Sequence, residues 1–255
     1  MDANTRGSLD RMERAGYLPA LRGIVKSACA PFWWHGLDNE GRYCVHHNGT
    51  VCFLQTPTLL IAVTARHVFD EYRKAKAEQP DIRCQFGGTT TEPEARLIAE
   101  SEYLDLATFD VSQVIVAASG ASPHAPLIWP TRQVSGGEAL LYGGYPGSLR
   151  VENDATADLP FQWFAGAPIS VTPENVKLHI DLESFHQPLH GANVPNVELG
   201  GMSGGPVFRL VPAPPIERLE LVGFIYESQP SLSLVYARPS HYITEQGEVD
   251  ENAAP

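Results

Sequence analysis

The sequence predicts an all-β protein. Short runs rich in β-branched and aromatic residues recur along the chain, and turn residues separate them, with 22 Gly and 21 Pro among 255 residues. Many short strands at regular spacing are typical of a β-sandwich or a pair of barrels. A chain of this length can form one large domain or two small ones and bury a substantial core.

Charge and hydropathy exclude two classes of partner. The formal net charge is −12, and the few Lys and Arg residues are dispersed, so no surface for nucleic acid is expected. The first ten residues hold no apolar stretch typical of a secretory signal, and no apolar run approaches the ~20 residues of a membrane span. We therefore expect a cytoplasmic protein with no membrane partner. The sequence does not indicate its oligomeric state.

The first half of the chain alternates strand-like runs with turn signals. Asn48-Gly49 lies between two such runs and predicts a tight hairpin turn. A short helical segment is expected over Asp70–Lys76. The predicted strands are Leu21–Ala30, Tyr43–His47, Thr50–Leu54, Leu59–Thr64, Ile82–Phe86 and Ala95–Ala99.

A Pro-, Gly- and Ser-rich stretch, Ala117–Pro130, is the candidate linker to a second set of strands. A short helix is expected near the C-terminus, over Arg238–Gln246. The strands predicted after the linker are Ala139–Tyr142, Phe161–Phe164, Ile169–Val171, Val176–Ile180, Val207–Leu210, Leu219–Tyr226 and Leu232–Ala237.

The four cysteines, at positions 29, 44, 52 and 84, lack metal-ligand spacing and are expected to be free, buried thiols. A Cys44–Cys52 disulfide across the predicted hairpin stays open as an alternative.

No metal ion and no cofactor are expected. Adjacent His46 and His47 point to opposite faces of a strand. Pro188 prevents a regular helix between His186 and His190.

The most informative stretch is Gly200–Phe208, in which four glycines surround Ser203. A Gly-rich turn of this kind can direct successive backbone N–H groups into one small space, where they stabilise a developing oxyanion. Ser203 is then a candidate nucleophile. A serine does not activate itself, however, so this interpretation requires a base and an orienting acid elsewhere.

Two residues meet that requirement. His67 follows the predicted strand Leu59–Thr64 and precedes a helix, a position suited to a general base. Asp105 stands within the apolar run Tyr103–Phe109, where an unpaired carboxylate is costly, so it needs a partner such as a histidine N–H. Asp110 has the character of an exposed residue at a strand end, which makes it the less suitable acid.

Together, Thr64-Ala65-Arg66-His67, Leu104-Asp105-Leu106-Ala107 and Gly201-Met202-Ser203-Gly204-Gly205-Pro206 resemble the trypsin-like (chymotrypsin-fold) serine peptidases. The order His, Asp, Ser is the one that this fold uses. The resemblance implies two packed six-stranded antiparallel β-barrels: residues 20–125 carrying His67 and Asp105, and residues 136–245 carrying Ser203. Their shared cleft is the expected active site.

The resemblance also implies a role for each residue. His67 is expected to deprotonate Ser203 and to protonate the leaving amine, while Asp105 holds the imidazole. The N–H groups of Gly201 and Ser203 are the expected oxyanion hole. The strand ending at Tyr226 is expected to pair with a substrate backbone.

Two departures indicate an intracellular or bacterial-type branch of the family. Met202 replaces the aspartate that pairs with a newly released N-terminus in secreted relatives, so activation of that kind is not expected. Val68 follows the histidine in place of their cysteine.

Pocket residues follow from the same resemblance. Position 197 sets the floor of the primary specificity pocket, and Val197 predicts uncharged, apolar or small residues on the acyl side of the cut bond. Glu198 or Glu227, if turned inward, would reverse this preference toward Lys or Arg. The substrate-binding candidates are therefore Val197, Glu198 and Tyr226.

Two functions are weighed. The first is a serine endopeptidase acting on a protein or peptide through an acyl-enzyme. The alternative is a trypsin-like fold that serves as a protein- or peptide-binding module with little or partner-dependent activity.

Overall fold

A computed structural model of the protein describes residues 16–38, 40–153, 156–180, 198–211 and 218–253. Two curled, antiparallel, seven-stranded sheets form the framework of the described chain. The predicted all-β class is confirmed, with seven strands in each sheet where six were expected. No helix in the described ranges has the length and hydropathy to cross a membrane.

The first sheet is formed by strands within residues 29–110. Its strands are β1 (Cys29–Leu37), β2 (Tyr43–Gln55), β3 (Leu60–Thr64), β4 (Arg83–Phe86), β5 (Thr89–Thr91), β6 (Leu97–Ser101) and β7 (Leu106–Asp110). Their order across the sheet is β5-β4-β1-β2-β3-β7-β6.

The second sheet is formed by strands within residues 140–239. The strands of this half are β8 (Leu140–Gly144), β9 (Val151–Asn153), β10 (Thr156–Asp158), β11 (Gln162–Gly166), β12 (Pro168–Val171), β13 (Val176–His179), β14 (Pro206–Val211), β15 (Arg218–Gln229) and β16 (Leu234–Pro239). The order across the sheet is β11-β8-β14-β15-β16-β13-β12, and β9 and β10 form a separate hairpin.

Within the ranges given above, three α-helices accompany the sheets: α1 (Tyr17–Ser27), α2 (Arg66–Glu78) and α3 (Gln113–Ala118). The strand predicted over Leu21–Ala30 is wrong, because α1 occupies most of it. Leu21, Val25 and Ala28 are buried at spacings of four and three residues, which is the period of a helix. The short helix predicted over Asp70–Lys76 lies within α2.

The hairpin turn predicted at Asn48-Gly49 is also wrong, because both residues lie inside β2. The turn instead follows β1, where the N–H of Asp38 donates to Arg42 O at 2.8 Å. Gly49 is needed in the strand for a different reason. A Cβ atom there would lie 2.4 Å from the Val68 side chain of α2, and glycine alone permits that approach.

The two sheets share an apolar interface. One buried cluster combines Leu54 and Ile61 of the first sheet with Leu141, Phe208 and Phe224 of the second. Burying one such side chain stabilises the fold by about 2 kcal/mol. This interface fixes the two sheets relative to each other and therefore fixes the cleft between them.

The connecting stretch that was predicted as a linker is docked on both sides. The N–H of His124 donates to Phe53 O at 2.9 Å, and Trp129 Nε1 donates to Ile243 O at 3.0 Å. The C-terminal helix expected over Arg238–Gln246 is reduced to one 3-10 turn, Ser240–Tyr242, because Arg238 and Pro239 complete β16.

Candidate active site

Ser203 lies in a tight turn that enters β14. Gly201 and Gly204 on either side have φ of +97° and +92°, which glycine adopts without strain. A Cβ at Gly204 would lie 1.9 Å from Thr50 O. Two backbone bonds fix the turn, from Thr50 N to Ser203 O at 2.9 Å and from Gly204 N to Ile225 O at 2.7 Å. The glycines are therefore structural requirements of this turn.

The same turn leaves two backbone donors available. Thr50 Oγ1 donates to Gly201 O at 2.8 Å, and Gly147 N donates to Gly200 O at 2.7 Å. These bonds hold both carbonyls onto neighbouring parts of the protein. Among the described residues, the N–H groups of Gly201 and Ser203 have no acceptor, and both residues line the cleft.

His67 and Asp105 contact each other directly. His67 lies in the first turn of α2, and Asp105 lies in the turn between β6 and β7. The Asp105 carboxylate accepts two hydrogen bonds from this histidine, one from the backbone N–H at 2.8 Å and one from Nδ1 at 2.7 Å. A carboxylate acceptor places the ring proton on Nδ1, so Nε2 is the nitrogen left to accept a proton.

Asp105 is held in a left-handed backbone conformation, with φ of +52°. Its side chain is about a quarter exposed, so the carboxylate reaches the surface although Leu104 and Leu106 on either side are buried. Arg66 N donates to Asp105 O at 3.1 Å. Asp and Asn adopt this conformation at lower cost than other residues with a Cβ.

Asp110, the weaker candidate acid, lies at the exposed end of β7 and lines a separate depression with Arg96. It makes no contact with His67 among the described residues.

Ser203 and His67 line the same cleft, which has a volume of about 510 Å³ and takes residues from both sheets. The Ser203 hydroxyl donates to Tyr226 O at 3.4 Å. In the described part of the chain it makes no hydrogen bond to His67. In this structure the hydroxyl is therefore bound to a backbone carbonyl and not to the imidazole.

The predicted substrate-binding residues differ in their position relative to the cleft. Tyr226 lines the cleft, while its hydroxyl donates to Asn175 Oδ1 at 2.8 Å. Glu198 is exposed, and its carbonyl accepts from Ser148 Oγ at 2.7 Å. Glu227 is exposed at the cleft rim beside Gln229. Val197 lies outside the described residues.

His186 and His190 also lie outside the described residues. Within the described ranges, no three His, Cys, Asp or Glu side chains converge where a metal ion could be held.

The structure adds cleft residues that sequence reasoning missed, chiefly His47, Glu71 and Arg238. His47 and Glu71 carry no distinguishing local signal. Arg238 does, because it stands in the apolar strand Leu234–Pro239, and the argument that a buried charge needs partners applies to it as it does to Asp105.

Burial and the neighbouring carboxylates shift the pKa of His67 in opposite directions. Burial is the largest single effect and lowers the pKa of this imidazole, but the hydrogen bond and charge of Asp105 together with the charges of Glu71 and Asp70 outweigh it. The net effect raises the pKa of His67 above its ordinary value of 6.5. The carboxylates thus stabilise the imidazolium that forms when the ring accepts a proton.

A pH prediction follows from this raised pKa. A general base acts when neutral, so if His67 is such a base, the rate of the reaction that it assists should rise with pH through a midpoint above 6.5. Glu71→Gln removes one stabilising charge and should move that midpoint to lower pH in a profile of kcat/KM. Glu78→Gln, at the far end of the same helix, is the matched control and should leave it in place. A midpoint that rises in Glu71→Gln contradicts the assignment.

All four cysteines are free. The alternative Cys44–Cys52 disulfide is wrong, because both residues lie in β2 and eight residue steps along an extended strand place them about 26 Å apart. Cys29 and Cys52 are opposite each other on β1 and β2. Burial raises the pKa of both thiols, which keeps them protonated and unreactive.

We therefore predict that a thiol reductant changes neither activity nor melting temperature. Parallel thermal melts and activity assays with and without reductant test this. A fall of several degrees on reduction would reveal a structural disulfide, for which the Cys29 and Cys52 pair is the geometric candidate, and Cys29→Ala would then reproduce the loss.

Comparisons with known proteins identify no family. No family model matches the chain, and no curated protein matches it. One matching solved structure comes from work on how aromatic interactions drive the coupled folding and binding of the intrinsically disordered Sesbania mosaic virus VPg protein. It is 12% identical, covers 86% of this chain and 95% of its own, and has a TM-score of 0.43. A likeness at this level carries no functional argument.

Proposed function

We propose that this protein is a serine endopeptidase. One observation carries the proposal: a histidine bound through Nδ1 to a carboxylate lines the same cleft as a serine held in a glycine-rich turn. A base oriented by an acid, next to a hydroxyl and two free backbone donors, is the arrangement required for nucleophilic acyl transfer.

The reaction proceeds in two halves. In the first, Ser203 Oγ attacks the carbonyl carbon of a peptide bond while His67 Nε2 takes the hydroxyl proton. The imidazolium then gives that proton to the leaving amine, and the C–N bond breaks to leave an ester on Ser203. In the second, water attacks this ester with the same base, and the acid product leaves as Ser203 regains its proton. Asp105 remains a carboxylate throughout and stabilises the imidazolium.

The N–H groups of Gly201 and Ser203 are proposed to bind the oxyanion that forms in each half. The support for this role is that the Gly200 carbonyl is bound to Gly147 N and the Gly201 carbonyl to Thr50 Oγ1, so neither of these two carbonyls is free to turn into the hole. One such donor lowers the barrier by about 3–4 kcal/mol in comparable enzymes.

A β-bulge provides a binding edge for the substrate. Ile225 pairs with Ala237 and Glu227 pairs with Tyr236, so the intervening Tyr226 is left out of the strand ladder. Bulges of this kind are common beside active sites. A substrate N–H that donates to Tyr226 O would compete with the Ser203 hydroxyl and release it to turn toward His67. Substrate binding would then prepare the nucleophile.

We further propose that the protein prefers substrates with an uncharged, apolar or small residue on the acyl side of the cut bond. Its support is that Glu198 and Glu227 are both exposed, so neither is a buried carboxylate that could bind a cation. A buried cation without a partner is costly.

The experiment is digestion of a randomised peptide library by the purified protein, with Ser203→Ala as the blank. The proposal predicts cleavage after uncharged residues that is absent in the blank. Equal cleavage by wild type and Ser203→Ala would overturn the mechanism. Cleavage dominated by Lys or Arg, and lost in Glu227→Gln, would overturn only the preference.

A second candidate function is supported by one contact. The Ser203 hydroxyl donates to Tyr226 O and has no bond to His67 among the described residues, as suits a binding module whose activity is low or depends on a partner. Peptides that bind both wild type and Ser203→Ala, without being cut by either, would favour this function.

A further inference from the structure

Arg238 is a buried cation at the base of the cleft, with 6% of its surface exposed. It extends from β16 of the second sheet toward the turn of the first sheet that carries Asp105. Its Nε donates to Leu104 O at 2.8 Å. One terminal nitrogen donates to Glu174 O at 2.8 Å and to Asn175 Oδ1 at 3.2 Å.

The bond to Leu104 bears directly on the acid. Leu104 immediately precedes Asp105, which has φ of +52°. A residue with a side chain keeps this conformation only where its surroundings hold it. Leu104 O is held by Arg238, and Asp105 O is held by Arg66. Leu104 N also donates to Ser101 Oγ at 3.0 Å, so the second sheet supplies one of three bonds that fix the backbone at the acid.

The guanidinium of Arg238 also contacts β15, the strand to which the Ser203 hydroxyl is bound. Its carbon lies 4.4 Å from the centroid of the Tyr226 ring, within range of a cation–π interaction. Tyr226 OH donates to Asn175 Oδ1, which also accepts from Arg238. The carbonyl of Tyr226 accepts the Ser203 hydroxyl. One side chain therefore contacts both the turn of the acid and the residue bound to the nucleophile.

Arg238 makes no ion pair with a carboxylate in the described ranges, so its charge is compensated by carbonyl oxygens and a ring. Arginine keeps its charge in any protein environment, and its planar fork of donors together with a stacking face cannot be reproduced by lysine. Burial of a cation in this way is costly, and its contacts concentrate at the candidate site.

We propose that Arg238 is a positioning residue, which couples the second sheet to the Asp105 turn and so keeps the acid and the nucleophile in register across the cleft. The proposal deepens the proposed peptidase function and rests on it for its kinetic consequence. Its structural consequence, the placement of Asp105 against His67, is measurable without substrate.

The test combines kinetics with NMR on Arg238→Gln, on the milder Arg238→Lys, and on Arg209→Lys as control. Arg209 is an equally buried arginine of β14, 2% exposed and paired with Glu220 away from the cleft. We expect Arg238→Gln to lower kcat by about 10²-fold, the scale of a displacement near 1 Å, with KM little changed. Arg238→Lys should lose less, and Arg209→Lys should lose stability without a change in kcat.

The NMR measurement follows the proton shared by His67 Nδ1 and Asp105. It should shift or broaden in both Arg238 variants and stay in place in Arg209→Lys. A signal unchanged in folded Arg238→Gln would overturn the positioning role, even if kcat fell. If the wild type hydrolysed no peptide but the signal still moved, the proposed function would fail and the positioning role would stand.

Discussion

Replacing Ser203 with alanine should abolish hydrolysis, with kcat reduced by about 10⁶-fold. Without the hydroxyl no ester forms, and only the oxyanion donors and substrate binding remain to assist water. The turn should survive, because the bonds that fix it run between backbone atoms of Thr50, Ser203, Gly204 and Ile225. The variant should therefore melt near the wild-type temperature.

The control is Ser170→Ala, an exposed serine on β12 at the edge of the second sheet, which should keep full activity. His67→Ala should match Ser203→Ala, and the double variant should be little worse than either single one, since the members act as a unit. Measured kcat for the four proteins decides this. If Ser203→Ala kept near wild-type turnover on a protein substrate, Ser203 would not be the nucleophile.

Asp105→Asn should reduce kcat by about 10⁴-fold near neutral pH, the size of the effect in the well-known trypsin variant. The new amide keeps an oxygen for the His67 N–H, but its NH₂ group then faces Nδ1. A donor at that position requires an unprotonated Nδ1 and moves the ring proton to Nε2. His67 can then no longer accept a proton from Ser203.

This variant should fold, because asparagine tolerates the left-handed backbone at residue 105 as well as aspartate does. Asp110→Asn makes the same chemical change at the exposed end of β7 and should leave kcat unchanged. Steady-state kinetics on both variants test the assignment. A severe loss in Asp110→Asn with a mild one in Asp105→Asn would assign the acid to residue 110.

The sequence was informative where function depends on residue type and order. The all-β class could be predicted because short runs of β-branched and aromatic residues between turn residues are visible in the local sequence. The pairing of His67 with Asp105 was anticipated because a carboxylate within an apolar run needs a partner. The structure places the two in contact, although Asp105 lies in a turn before β7 rather than inside a strand.

Sequence was less informative where long-range packing overrides a local signal. Asn48-Gly49 has the form of a hairpin turn, yet Asn48 Nδ2 donates to Tyr145 O across the sheets and Gly49 gives room to Val68. The conformation of both residues is therefore set by contacts with distant parts of the chain and not by their local sequence. The Cys44–Cys52 alternative failed with that turn, because it depended on the hairpin.

Helix α1 was misassigned for a related reason. The run from Leu21 alternates well enough to suggest a strand, and only the buried face of the finished fold shows that a spacing of three or four residues is the relevant one. Arg238 was overlooked because its partners, Leu104, Glu174 and Asn175, are more than 60 residues away in the chain.

The central claim is that Ser203 is a nucleophile activated by His67. Intact mass spectrometry after treatment with a fluorophosphonate, which reacts with activated serines, tests it most directly. The account predicts one adduct per chain, mapped to Ser203, absent in Ser203→Ala and formed far more slowly in His67→Ala. An unlabelled wild type, or an adduct that persists in Ser203→Ala, would contradict it.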